Sequence, residues 1–131
     1  MWMVLKDLLL IEGAATGAGL GFEFLRHIER TRLLIHIVDI AGIDGRDPVD
    51  DIEKINNELY NYDKTILDKP QVIAANKIDY LTEEELEERI VDIKKKYGED
   101  MQIFPISAAT GQGVKELLYK VNDLLEELPK E

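Results

Sequence analysis

The 131-residue sequence contains no cysteine, so it can form no disulfide and offers no thiol for catalysis or metal binding. That usage suits a reducing compartment, and a cytoplasmic location is expected. Basic charge is also scarce: 16 Lys and Arg stand against 27 Asp and Glu, for a formal net charge of −11. A nucleic-acid groove needs clustered cations to displace counterions, so no direct nucleic-acid site is expected. The one basic run, Lys94-Lys95-Lys96, closes a helical pattern and complements the helix dipole there. Long apolar runs are missing. Residues 1–10 are apolar but broken by Lys6 and Asp7, too short to span a bilayer and without the basic head of a signal peptide, so no membrane association is expected. No GxxxxGK[ST] sequence occurs, which removes the loop that cradles phosphates and the lysine that reaches them. The glycine-rich run Gly13-Ala14-Ala15-Thr16-Gly17-Ala18-Gly19-Leu20-Gly21 lacks that Lys-Ser/Thr pair. No zinc or calcium is expected either. There are only two histidines, and the acidic run Glu83 to Glu88 does not place oxygen ligands alternately around a turn. His36, inside an apolar run, is read as a hydrogen-bonded structural imidazole. His27, beside Arg26, Glu29 and Arg30, is read as part of a surface network.

What is present is an alternation of strands and helices, with 45% apolar residues to supply one core. Leu33 to Asp39 (LLIHIVD) is a nearly continuous apolar run, as expected of a parallel strand covered on both faces. Asp47-Pro48 reads as N-cap and first helical residue. Ile52, Ile55, Leu59, Tyr62 and Ile66 then recur at helical spacing up to Pro70. Thr82 and Glu85 form a capping box ahead of the stripe Leu86, Ile90, Ile93 and Tyr97, and Gly98 ends that helix. A last helix carries Val114, Leu117, Leu118, Val121, Leu124, Leu125 and Leu128 as a buried stripe, stopped by Pro129. The expected fold is α/β, three-layered, with a mostly parallel sheet and flanking helices, in a single domain spanning residues 1–131.

Two motifs at strand ends carry chemistry. Asn76-Lys77-Ile78-Asp79 follows the strand Gln71 to Ala75 (QVIAA). A carboxylate at Asp79 can accept two hydrogen bonds from guanine, from N1–H and the N2 amino group. Adenine presents an acceptor and a bare C–H at those positions, a mismatch that a hydrogen-bonding site rejects strongly. The Lys77 stem can cover a face of the base while Asn76 ties neighbouring loops together. Alone, these four residues could be an ordinary turn. The second motif, Ser107-Ala108-Ala109-Thr110, follows the strand Gln102 to Ile106 (QIFPI). Its small side chains allow backbone N–H groups to approach a ligand oxygen, here guanine O6, at the strand ends where open parallel sheets bind ligands. A plain strand-to-helix turn would look similar. Together, the two motifs one helix apart resemble the guanine-recognition half of a Ras-like GTPase domain, with Asn76, Lys77, Asp79, Ser107, Ala108 and Ala109 as guanine-binding residues.

The resemblance narrows further. Ile11-Glu12-Gly13-Ala14, Gly19-Leu20-Gly21 and the run Phe24 to Thr31 (FLRHIERT) are similar to the segment after the DxPG motif of Obg-family GTPases. Val38-Asp39, Gly45-Arg46-Asp47-Pro48 and Phe104 to Ala108 match that family as well. The similarity runs from about Ile11 to the C terminus and implies that the glycine-rich run is a second switch. It also implies a parent family that hydrolyses GTP with magnesium and assists ribosome assembly. The sequence departs from the family upstream. Asp7-Leu8-Leu9-Leu10 stands where Asp-x-Pro-Gly is expected, and the first switch has no counterpart.

The Ras-like strand order implied by the resemblance places the strand bearing the phosphate loop between the third and fourth strands, and these residues contain no such strand. Either Val4 to Leu10 shifts across to pair with Leu33 to Asp39, or an apolar edge stays open as a template for an edge-paired or swapped homodimer. Residues 1–10 are therefore read as a replaced or rearranged strand, and 11–131 as second switch through C-terminal helix. Two functions remain open. One is a guanine-nucleotide-binding part of an Obg-type GTPase that binds weakly, holds no magnesium and does not hydrolyse GTP. The other is a non-catalytic interaction module on the same scaffold that binds no nucleotide.

Overall fold

The computed structural model describes residues 2–5, 8–12, 31–43 and 45–128. The readings of Asp7, the glycine-rich run, His27 and Pro129 fall outside them. Five strands form one sheet in the order β1-β2-β3-β4-β5: β1 Trp2–Leu5, β2 Leu8–Glu12, β3 Leu33–Asp39, β4 Gln71–Asn76 and β5 Gln102–Pro105. The first pair is antiparallel, and β2 through β5 are parallel. The run read as one strand from Val4 to Leu10 is two strands. Leu5 pairs with Leu8, and in the sequence the charged pair Lys6-Asp7 stands between the two strands. Leu8 to Glu12 lies parallel to Leu33 to Ile37, so β3 is paired on both sides.

Three helices flank the sheet: α1 Pro48–Tyr62, α2 Glu83–Tyr97 and α3 Val114–Glu127. The β3–α1–β4 and β4–α2–β5 crossovers advance in the same direction across the sheet. Parallel crossovers are right-handed, which puts both helices on one face. There Ile52 of α1 and Ile93 of α2 pack on Val38, Ile73 and Ala75. Helix α3 takes the other face, with Leu117 and Val121 on Leu33, Ile35, Val72 and Ala74.

Local signals set most helix ends. The capping box is reciprocal: Glu85 N–H donates to Thr82 Oγ1 at 3.1 Å, and Thr82 N–H to Glu85 Oε1 at 3.1 Å. Gly98 closes α2 at φ 110°. Lys96, in the basic last turn, reaches Glu53 of α1 at 2.7 Å. Four expectations need correction. Asp47 stands at the N-cap of α1, but its side chain makes no capping hydrogen bond; Pro48 has no N–H to satisfy, and Asp50 and Asp51 complement the dipole instead. Helix α1 ends at Tyr62 rather than running on to Ile66. Asp63, extended at φ −160°, accepts from Thr65 N–H at 2.9 Å and from Thr65 Oγ1 at 2.7 Å, which opens a separate 3-10 turn at Lys64–Asp68. Leu118 is 58% exposed and not part of the α3 core stripe. His36 is fully buried, as its strand predicts, yet neither ring nitrogen has a hydrogen-bond partner among the described residues. Its neighbours across the sheet are Ile11 and Ile73, which offer apolar packing only.

Candidate functional site

The carboxyl ends of β3, β4 and β5 meet at one edge, stitched together by backbone bonds. Ile40 N–H donates to Asn76 O at 3.0 Å, Ile106 N–H to Ala75 O at 2.8 Å and Ile78 N–H to Ile106 O at 3.3 Å. This lattice brings the two motifs side by side. Asn76 is the tie: its Oδ1 accepts the N–H of Lys77 at 2.8 Å and that of Ala108 at 2.9 Å. A single amide oxygen therefore sets the spacing between the Asp79 loop and the Ser107 loop.

Each loop is locally specified. Ser107, fully buried, accepts Thr110 N–H on its Oγ at 3.2 Å and Gly111 N–H on its carbonyl at 2.7 Å, while its own N–H goes to Gln112 O at 2.9 Å. Gly113 then turns the chain into α3 at φ 77°, against the Pro105 carbonyl of β5. Ala108 and Ala109 are exposed at the tip. Of the backbone N–H groups expected to face a base oxygen, that of Ala108 is committed to Asn76. Among the described residues nothing takes the N–H of Ala109.

Lys77 is in the left-handed region at φ 72°, the one non-glycine residue with positive φ among those described. Such a backbone persists where its surroundings over-determine it. Here the turn carries the side chain back toward β3, where its Nζ lies 3.2 Å from Asp39 Oδ2. Asp79 is exposed, on a short 3-10 turn at Ile78–Tyr80. Of the six residues read from the sequence as guanine-binding, Asn76 closes β4 and the other five lie on the loops that follow β4 and β5. Asp39 was not among them. The signal available was a lone carboxylate closing a strand that is otherwise apolar apart from His36.

A cleft of about 380 Å³ opens beside this edge, between the β3–α1 turn (Gly42, Gly45, Arg46, Asp47) and Arg89 and Asp92 of α2. It shares no residue with the two motif loops. Arg89 Nη1 caps Ile40 O at 2.8 Å and so braces the turn against α2. Among the described residues no group of three or more His, Asp or Glu side chains is arranged to hold a metal ion, and no helix is long and apolar enough to cross a membrane.

No family model matches the chain. Solved structures do. A variant of Era from Aquifex aeolicus, bound to GDP and AlF4−, matches with a TM-score of 0.59 and 28% identity, over 83% of this chain and 33% of that one. Era in complex with MgGDPNP and nucleotides 1506–1542 of 16S ribosomal RNA matches at 0.57 and 26%, over 81% and 32%. The elongation factor SelB from Methanococcus maripaludis shares the fold at a TM-score of 0.61 and 21% identity, over 79% of this chain and 22% of that one. The architecture is that of a Ras-like GTPase G domain. Within that class the sequence is similar to the Obg GTPases. It is 63% identical over 118 residues to GTPase Obg of Lachnoclostridium phytofermentans and 54% over 121 residues to that of Desulforamulus reducens. These matches take in 89% and 92% of the chain, which spans only 28% of each relative's length.

Proposed function

We propose that these 131 residues form the guanine-recognition part of an Obg-type G domain, binding the base and not the phosphates. The observation that carries the reading is the Asn76 side chain, which accepts from Lys77 and Ala108 together and so holds the Asp79 loop and the Ser107 loop in one frame. In this frame Asp79 accepts from guanine N1–H and N2, the Ala109 N–H is available to O6, and the Lys77 stem covers one face. The base has about eleven heavy atoms, and at roughly 0.3 kcal/mol each it contributes on the order of 3 kcal/mol, a millimolar affinity or weaker. GMP, GDP and GTP are expected to bind alike, with GTP disfavoured by the net charge of −11.

An NMR titration following the amides of residues 76–79 and 107–110 tests this. GMP should shift them and AMP should not. Asp79→Asn should weaken GMP and relax the exclusion of xanthosine monophosphate, because an amide can donate where the carboxylate cannot. A micromolar, magnesium-dependent GTP affinity would refute base-only binding. Silence toward every nucleotide would instead support an interaction scaffold.

Hydrolysis is not expected of these residues. Phosphoryl transfer is catalysed by positioning and by charge stabilisation around the terminal phosphate. The sequence has no phosphate-loop lysine and no Ser or Thr of that loop. Magnesium, named in the Era complex, finds no group of three or more His, Asp or Glu ligands among the described residues. The purified chain should turn over GTP no faster than buffer. Turnover abolished by Asp79→Ala would overturn this reading. The 16S ribosomal RNA in that complex is the context in which we place the longer relatives, as ribosome-assembly GTPases in the cytoplasm. The acidic segment described here contributes nucleotide recognition to it rather than RNA contact.

A further inference from the structure

Asp39 belongs to neither motif loop, yet it reaches one of them. It closes β3 with a side chain only 10% exposed, and its two oxygens do separate jobs. Oδ1 accepts the N–H groups of Ala41 at 3.1 Å and Gly42 at 3.0 Å, which folds the turn after the strand. Oδ2 faces Lys77 Nζ at 3.2 Å. The lysine side chain is 38% exposed, so part of it stays open at the sheet edge although its ammonium is paired.

Resting on the guanine-recognition reading above, we infer that Asp39 is a positioning residue for base binding, clamping the Lys77 ammonium so that the lysine stem is laid out as a platform for one face of the purine. A free lysine samples many rotamers, and binding must freeze them. A stem already fixed at both ends removes that entropic cost from the association step. One end is fixed by the left-handed backbone, with Lys77 N–H on Asn76 Oδ1 and Lys77 O accepting from Tyr80 N–H at 3.1 Å. Asp39 fixes the other. The pair is nearly buried on the carboxylate side, where solvent screens it less than at an open surface. The platform also joins two strands, because Ile40 N–H, next to Asp39, donates to Asn76 O next to Lys77. A shift of the β3 end would therefore be felt by the base.

The competing role is structural: Asp39 could serve the turn alone. Asp39→Asn separates the two, because an amide keeps the Oδ1 acceptor for Ala41 and Gly42 but puts an NH2 donor against the ammonium. It also makes the chain less acidic, which by itself favours a nucleotide. The experiment is an NMR titration with GMP of wild type, Asp39→Asn, Lys77→Met and the double variant, with urea unfolding of each. Asp39→Asn and Lys77→Met should each weaken GMP by about fivefold, with the double variant no weaker than Lys77→Met alone. Side-chain 13C relaxation at Lys77 Cε should report an ordered stem in wild type and a mobile one in Asp39→Asn, with the urea midpoint little changed. Wild-type GMP affinity in Asp39→Asn, or losses that add in the double variant, would overturn the clamp while leaving guanine recognition standing. Absence of any GMP response at residues 76–79 of the wild type would overturn both.

Discussion

Gly113→Ala is expected to be the most damaging small substitution at this sheet edge. A methyl group built at Gly113 collides with the Pro105 carbonyl oxygen and lies 3.4 Å from Ile106 Cα and Cγ2. The first contact is with backbone, so it cannot be relieved by rotating a side chain. Pro105 sits on β5 opposite Ala75 and just before Ile106, whose N–H is bonded to Ala75 O at 2.8 Å. Moving it disturbs the strand pairing and the base of the Ser107 loop together. The backbone at φ 77° adds a penalty of about 1–2 kcal/mol for any residue with a Cβ. With an overpacking cost of about 1–3 kcal/mol, the total is roughly 2–5 kcal/mol, a large part of the stability of an ordinary small domain. Thermal unfolding should fall by about 10 °C or more. Gly111→Ala is the control, in the same loop at φ 87° but with no atom within 4 Å of the added methyl. It should lose only the backbone penalty, near 1–2 kcal/mol. Equal melting points for the two variants would show that the Pro105 contact relaxes at little cost. The amides of Ser107 and Ala108 should shift far more in Gly113→Ala than in Gly111→Ala.

The contrast between those two glycines marks what a sequence can and cannot display. Both stand in a stretch that reads as a turn, and only three-dimensional packing tells which one has a carbonyl behind it. Features written over a few residues were legible. The Thr82–Glu85 box and the Gly98 stop depend on neighbours within one turn, and the apolar run Leu33 to Asp39 states its own burial. The α/β class followed from strand and helix patterns alternating along the chain. The end of α1 was misjudged because Asp63 competes locally for Thr65, while the apolar spacing continues past it to Ile66. Leu118 keeps helical spacing with the α3 stripe but lies beyond the reach of the sheet. At the candidate site the two loops were legible as motifs, whereas what positions them was not. The Asp39–Lys77 pair spans 38 residues, and the left-handed backbone at Lys77 leaves no mark on composition. Whether an N-terminal strand pairs with β3 or leaves its edge open was likewise undecided, because an apolar strand carries no label of its partner.

His36 should make the protein lose stability in mild acid. The imidazole lies fully buried in β3 with both nitrogens unpartnered among the described residues. Burial, reinforced by the positive charge of Arg46, lowers its pKa from the ordinary 6.5 to about 4. A base whose folded-state pKa lies below its unfolded value takes up its proton first in the unfolded chain. Its contribution is therefore intact above pH 6.5 and drains away as the pH falls from there toward about 4. Between pH 7.5 and pH 5 the loss from this one group is about 2 kcal/mol, growing to roughly 3 kcal/mol near pH 4. Most carboxylates stay ionised down to pH 5, so the upper part of the window isolates the histidine. Urea unfolding at pH 7.5, 6.5, 5.5 and 5.0 should trace the decline in wild type. His36→Leu should flatten it, and should also be more stable at pH 7.5, because an apolar side chain leaves no unpaired N–H in the core. A wild-type stability that stays level from pH 7.5 to 5, or a decline that survives in His36→Leu, would mean that the imidazole reaches water or a partner in solution and is not sealed in the sheet.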